Sequence, residues 1–106
     1  WAYRGGRWHA RELCVALPPA ADVPPQFAHG GVYVIAGGAG GLGVEFSEYL
    51  VRRYAAQVVW IGRRPRDARI AAQEERLAAF GPRPWYVAAD AADPARMREV
   101  RDEIRT

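Results

Sequence analysis

The feature that most constrains this chain lies at residues 32–54. VYVIA at 32–36 is a continuous apolar run rich in β-branched residues, the mark of a strand buried on both faces. It passes directly into AGGAGGLG at 36–43 and then LGVEFSEYLVRRY, where Leu42, Phe46 and Leu50 recur at helical spacing and are expected to face inward. Five of the seven residues at 37–43 are glycine. A turn that only links strand to helix needs one or two, and each further glycine costs chain entropy. Small residues let backbone approach a pyrophosphate, and a helix start offers free amides with a partial positive charge. Gly37, Gly38, Ala39, Gly40, Gly41, Leu42 and Gly43 are therefore the candidate phosphate loop. Gly38, Gly40 and Gly43 satisfy GxGxxG, while Gly37, Gly41 and Gly43 satisfy GxxxGxG; spacing alone leaves both open.

Around this unit the chain divides into three. Residues 1–16 read as a β-hairpin turning at Gly5-Gly6, with residues 8–16 continuing in imperfect alternation. Residues 17–31 form a Pro-rich linker with four prolines. From residue 32 strands and helices alternate. QVVWIG at 57–62 is a second strand, 67–80 a helix with Ile70, Leu77 and Phe80 inward and Gly81-Pro82 as its stop. WYVAAD at 85–90 is a third strand. Asp93 caps a last helix that has Pro94 at its first position and Met97, Val100 and Ile104 on one face. This β-α-β-α-β-α order predicts an α/β fold, the first half of a Rossmann-type doubly wound parallel sheet, with both intervening helices on one face and the last helix on the other. The strand at 32–36, central in such folds, would be a bare edge here, so the natural protein is expected to continue past Thr106.

The end of the second strand selects the nucleotide. Dinucleotide folds that accept a ribose 2′-hydroxyl carry a carboxylate about 20 residues past the glycines. Here Gly62-Arg63-Arg64 holds that place, and no acid occurs before Asp67. In a chain with fifteen arginines and no lysine, one exposed guanidinium means little. Two of them, together with the missing acid, point to a 2′-phosphate and hence NADP(H). Asp90, followed by Ala91, ends the third strand where an adenine would lie; capping the next helix is its competing role, which Asp93 fits better. Trp60 and Trp85 are expected in the sheet near this cofactor site.

Composition excludes other classes. A net charge of +3 is spread along the chain among twelve carboxylates, a solvated surface rather than a nucleic-acid footprint. One cysteine and two separated histidines do not make a metal site. The lone Cys14 and the lack of a signal peptide or spanning segment make a cytoplasmic setting the expectation, with no membrane partner.

At these residues the chain resembles a family. GGVYVIAGGAGGLG, then GRRP, then AAD before a Pro-started helix, are similar to the start of a short-chain dehydrogenase/reductase, and most of all to the ketoreductase domain of modular polyketide synthases. YRGGRWHARELCVA with its Pro-rich exit resembles the last strands of the structural subdomain that precedes such catalytic subdomains. The resemblance implies an NADPH-dependent reductase acting on a β-ketoacyl thioester tethered to an acyl carrier protein. Its partners would be the rest of the ketoreductase domain and neighbouring synthase domains. The loop at 37–43 would hold the pyrophosphate, Arg63 and Arg64 the 2′-phosphate, and Asp90 with Ala91 would flank adenine. Ala36 departs from the family, which usually has a loop-bracing Thr there. The family's catalytic Tyr, Ser, Lys and Asn have no counterpart: Lys and Asn are absent, Ser47 lies in the first helix, and Tyr3, Tyr33, Tyr49, Tyr54 and Tyr86 fall in strands or that helix. No catalytic residue is named, and the chain alone is expected to be inactive. A reductase-inactive scaffold module and a free-standing NADP-dependent reductase are the alternatives.

Overall fold

A computed structural model describes residues 1–17 and 26–106 of the chain. The greater part of the expected linker, residues 18–25, lies outside the described residues. β1 (Ala2–Arg4) and β2 (Arg7–His9) form an antiparallel hairpin. Gly5 and Gly6 turn it, both at positive φ, 55° and 77°, which side chains resist. The expected continuation of the second strand is absent. Residues 10–17 have no regular structure, and Leu13, Val15 and Leu17 are exposed. Alternation makes a strand only where one face meets another layer, and none covers these side chains among the described residues.

The main body is a parallel sheet of β3 (Val32–Ala36), β4 (Gln57–Gly62) and β5 (Trp85–Ala88) in the order β3-β4-β5. Each strand is followed by a helix, α1 (Gly41–Tyr54), α2 (Ala68–Ala78) and α3 (Pro94–Arg105). β4 is central, and its four inner residues, Val58 to Ile61, are all buried. Val58 and Trp60 pack in one cluster with Val44, Leu50 and Val51 of α1 and Ile70 and Leu77 of α2. Val59 and Ile61 pack in a second cluster with Val87, Ala89 and Val100 of α3. The two helices between strands therefore share one face and α3 covers the other, as right-handed crossovers require. Each fully buried Leu in the first cluster contributes about 2 kcal/mol over an exposed one.

Three expectations are corrected here. β3 is the edge strand, as expected, but it is buried on one face rather than both: Tyr33 and Ile35 pack on the first cluster, whereas Val32 and Val34 are half exposed. The inward face of α1 is Val44, Ser47, Leu50 and Val51; of the expected stripe only Leu50 is buried, while Leu42 is 87% exposed and Phe46 partly exposed. α2 ends at Ala78, so Phe80 lies beyond it, partly exposed beneath the Arg52 guanidinium 3.5 Å from its ring. At the entrance to the body, Phe27 lies against Tyr33, Phe46 and Tyr54, and the Gly30 N–H donates to Tyr54 O at 2.7 Å.

Candidate cofactor-binding site

The C-terminal ends of the three strands and the N-terminus of α1 converge on one edge of the sheet. Gly37 leaves β3 at φ 74°, a left-handed conformation that glycine adopts without strain, and its N–H donates to Ile61 O at 2.8 Å. The loop then folds on itself through Gly38 N–H to Ile35 O and Gly40 N–H to Gly37 O. Gly38 sits on the Trp60 indole, and a Cβ there would overlap that ring. Gly43 is wedged beneath the loop, where a Cβ would lie 2.6 Å from Gly38 Cα. At Gly41 the surroundings are open among the described residues: a Cβ would meet none of their atoms within 4 Å. Gly40 caps α1 with backbone alone, since it has no side chain to bond the first-turn amides. These amides and the positive end of the helix dipole therefore face outward, an arrangement suited to an anion.

Below the loop, Trp60 Nε1 donates to Ser47 Oγ at 2.8 Å, and Ser47 Oγ donates to Gly43 O at 2.6 Å. This chain of bonds ties β4 to the first turn of α1. It also explains a buried serine on a helix face where hydropathy reads apolar residues.

Beside the loop is a cleft of about 290 Å³ lined by Gly37, Ala39, Gly40, Gly62, Arg63, Arg64 and Tyr86, over a floor of Ile61. Among the described residues neither Arg63 nor Arg64 makes a salt bridge. Arg66, the next arginine, is engaged with Glu74. The first carboxylate past β4, Asp67, is also committed: it caps α2, accepting from Ile70 N–H at 2.8 Å. Arg63 and Arg64, neither of them ion-paired among the described residues, thus both line this cleft.

An adjoining cleft of about 250 Å³ is lined by Ala36, Gly37, Arg63, Ala89, Asp90 and Ala91. Asp90 accepts from Ala92 N–H at 2.9 Å, while Asp93 caps α3 through Ala95 and Arg96 N–H. The capping role belongs to Asp93, and Asp90 braces its own turn at the cleft wall. Of the expected site residues, Gly37, Ala39, Gly40, Arg63, Arg64, Asp90 and Ala91 meet across the two clefts. Gly38 and Gly43 act from beneath by packing, Gly41 opens the helix, and the Leu42 side chain lines neither cleft.

Of the two tryptophans, Trp85 departs from expectation. Trp60 underlies the loop but is fully buried, and Trp85 begins β5 at the opposite end of the sheet, lining a hollow with Arg66, Glu74 and Arg83. Parallel strands carry their first residues away from the loop edge, so a tryptophan at the start of β5 cannot report on it. Tyr86, which lines the first cleft, is not legible there from the sequence, since only cross-strand register brings it to the arginine segment.

The KR domain family matches residues 31–106. The chain is 43% identical over 105 residues to the polyketide synthase PksM of Bacillus subtilis, covering 99% of this chain and 2% of that protein. It is 50% identical over 102 residues to the polyketide synthase ThaG of Burkholderia thailandensis, covering 96% of this chain and 2% of that protein. Its fold matches an N-terminal ketoreductase from the macrolactin assembly line at a TM-score of 0.70 and 33% identity, over 78% of this chain and 18% of the other. A ketoreductase domain from the bacillaene assembly line matches at 0.69 and 28% identity, over 81% and 21%. The chain thus spans a small part of the relatives it matches. The chain belongs to the KR-domain family, the ketoreductase domains of polyketide synthases.

Proposed function

We propose that residues 37–43, 63–64 and 90–91 hold NADP(H) for the reduction of a β-ketoacyl thioester, carried on an acyl carrier protein, to its β-hydroxyacyl form. The observation that carries this reading is the pair Arg63 and Arg64 lining a cleft beside an uncapped helix N-terminus, with Asp67 already spent on α2. Membership of the KR family supports a nicotinamide cofactor in general; the guanidinium pair selects the phosphorylated one. The first-turn amides of α1 would take the pyrophosphate, and Gly41 leaves it room to approach. Arg63 and Arg64 would take the 2′-phosphate, and Asp90 and Ala91 would border adenine. NADPH held by these residues would supply the hydride for the ketone carbon. This chain's own residues bind and orient the cofactor. Its serine and its cleft tyrosine are internally committed, Ser47 to Gly43 and Trp60, Tyr86 to the Arg64 carbonyl, so neither is assigned a proton-transfer role.

Calorimetric titration of the full chain with NADPH and NADH tests the proposal. NADPH is expected to bind more tightly, and Arg63→Ala to remove roughly tenfold or more of that preference, the worth of a charge-assisted hydrogen bond. A folded chain that binds neither nucleotide overturns the cofactor reading. Equal affinity for both overturns the 2′-phosphate assignment.

A further inference from the structure

Tyr86 belongs to the core by its ring, but its hydroxyl serves neither the core nor the phosphate loop. It stands on β5 opposite Trp60 of β4, and its ring joins the first core cluster. Its hydroxyl, however, reaches along the sheet to the segment that leaves β4, donating to the Arg64 carbonyl at 2.7 Å. Gly62 makes room for it, since a Cβ there would lie 2.5 Å from that hydroxyl oxygen. The same tyrosine is held from the other side. Glu74, 3% exposed, accepts from the Tyr86 N–H at 3.2 Å and also binds the Arg66 guanidinium. The arginine segment is therefore pinned twice to one assembly, at the Arg64 carbonyl by Tyr86 and at the Arg66 side chain by Glu74. Between and before these two points, Arg63 and Arg64 keep side chains with no acid partner among the described residues, and Tyr86 itself lines their cleft.

We propose that Tyr86 is a positioning residue for nucleotide selectivity: its hydroxyl fixes the backbone of the Arg63-Arg64 segment, so that both guanidiniums are preset for a 2′-phosphate. The inference rests on the 2′-phosphate reading above and adds the element that enforces it. Two flexible arginines on a free segment would lose conformational freedom on gathering one phosphate, and a fixed carbonyl removes part of that loss before the ligand arrives.

The test uses adenosine 2′,5′-bisphosphate and adenosine 5′-monophosphate, which differ only in the 2′-phosphate, titrated calorimetrically into the full chain. Tyr86→Phe keeps the ring and deletes the hydroxyl. It should weaken the bisphosphate roughly three- to tenfold, the worth of one uncharged hydrogen bond, and leave the monophosphate unchanged. Gly62→Ala, which displaces the hydroxyl, should cost the same selectivity in the Tyr86 background and nothing further on top of Tyr86→Phe. If Tyr86→Phe does not fold, Gly62→Ala alone decides. Equal weakening of both nucleotides, no weakening of either, or additive losses in the double variant would overturn the proposal. Absence of any preference in the unaltered chain overturns the 2′-phosphate reading instead, and Tyr86 selectivity falls with it.

Discussion

Within the phosphate loop, glycines that look alike in sequence serve different masters. Gly38 is glycine because Trp60 occupies the space of its side chain, and Gly43 because backbone of the loop does. Gly41 has no such neighbour among the described residues, so no packing there demands glycine. The five glycines thus do not all speak for a ligand, as their density suggests; Gly41 does so most directly. Gly38→Ala should destabilise the chain by about 1–3 kcal/mol, as overpacking does. Gly41→Ala should leave stability unchanged or raise it by up to ~0.5 kcal/mol, because alanine loses less chain entropy in a helix. Its nucleotide affinity should nevertheless fall at least tenfold, since the new methyl stands where a phosphate approaches. Thermal unfolding by circular dichroism and calorimetric titration of the two variants separate the effects. A stable Gly41→Ala chain with undiminished affinity would show that the first turn of α1 does not receive the pyrophosphate.

Elements were legible in existence and order, and less so in their faces. The caps of α2 and α3 rest on local chemistry: Asp67 before ARI and Asp93 before Pro94 each bond amides within three residues of themselves. The face of α1 depends on distant residues. Ser47 turns inward because Trp60, thirteen positions later, donates to it, and that rotates Leu42 out to solvent. Periodicity scores serine as polar and cannot see its partner. On the other side of α1, Glu48 binds Arg76 of α2 and, at 2.8 Å, Arg52 of its own helix. Arg76 first, and then Arg52, hold the Glu48 carboxyl below its ordinary value of 4.5. Because the folded pKa is the lower one, the stabilisation is fully present above the unfolded value and is lost as pH falls through the folded one. Thermal midpoints of the unaltered chain should therefore drop more steeply between about pH 5 and pH 3 than those of Glu48→Gln. The gap should narrow in high salt, as expected for a solvent-facing cluster. Parallel pH profiles for the two chains would show that the α1–α2 clamp adds nothing to stability.

At the scale of the whole molecule, the sheet has one well-covered side and one open edge. Strand order and helix placement followed from chain order and handedness, which act over the entire β-α-β-α-β-α unit and need no particular side chain. What covers the β3 edge does not follow from them. Val32 and Val34 are 54% and 51% exposed, and with Ile61 they line a mainly apolar groove of about 320 Å³ against Met97, Val100 and Ile104 of α3, with Arg101 and Arg105 also lining it. Beyond β3 no further strand pairs with it among the described residues, so its outer N–H and C=O groups are also available. An unpaired edge backed by apolar side chains is a template for pairing with another chain. The 106-residue chain should accordingly self-associate: in sedimentation velocity its average mass should climb above 11.8 kDa as concentration rises. Val34→Lys places a charge in the groove beside the edge, the device natural sheets use against such pairing. Since Val34 is already half exposed, the substitution should change stability by less than about 1 kcal/mol while holding the chain at monomer mass. If the unaltered chain stays monomeric at the highest soluble concentration, the edge is not adhesive, and the twist of a three-stranded sheet is enough to keep it apart from its copies.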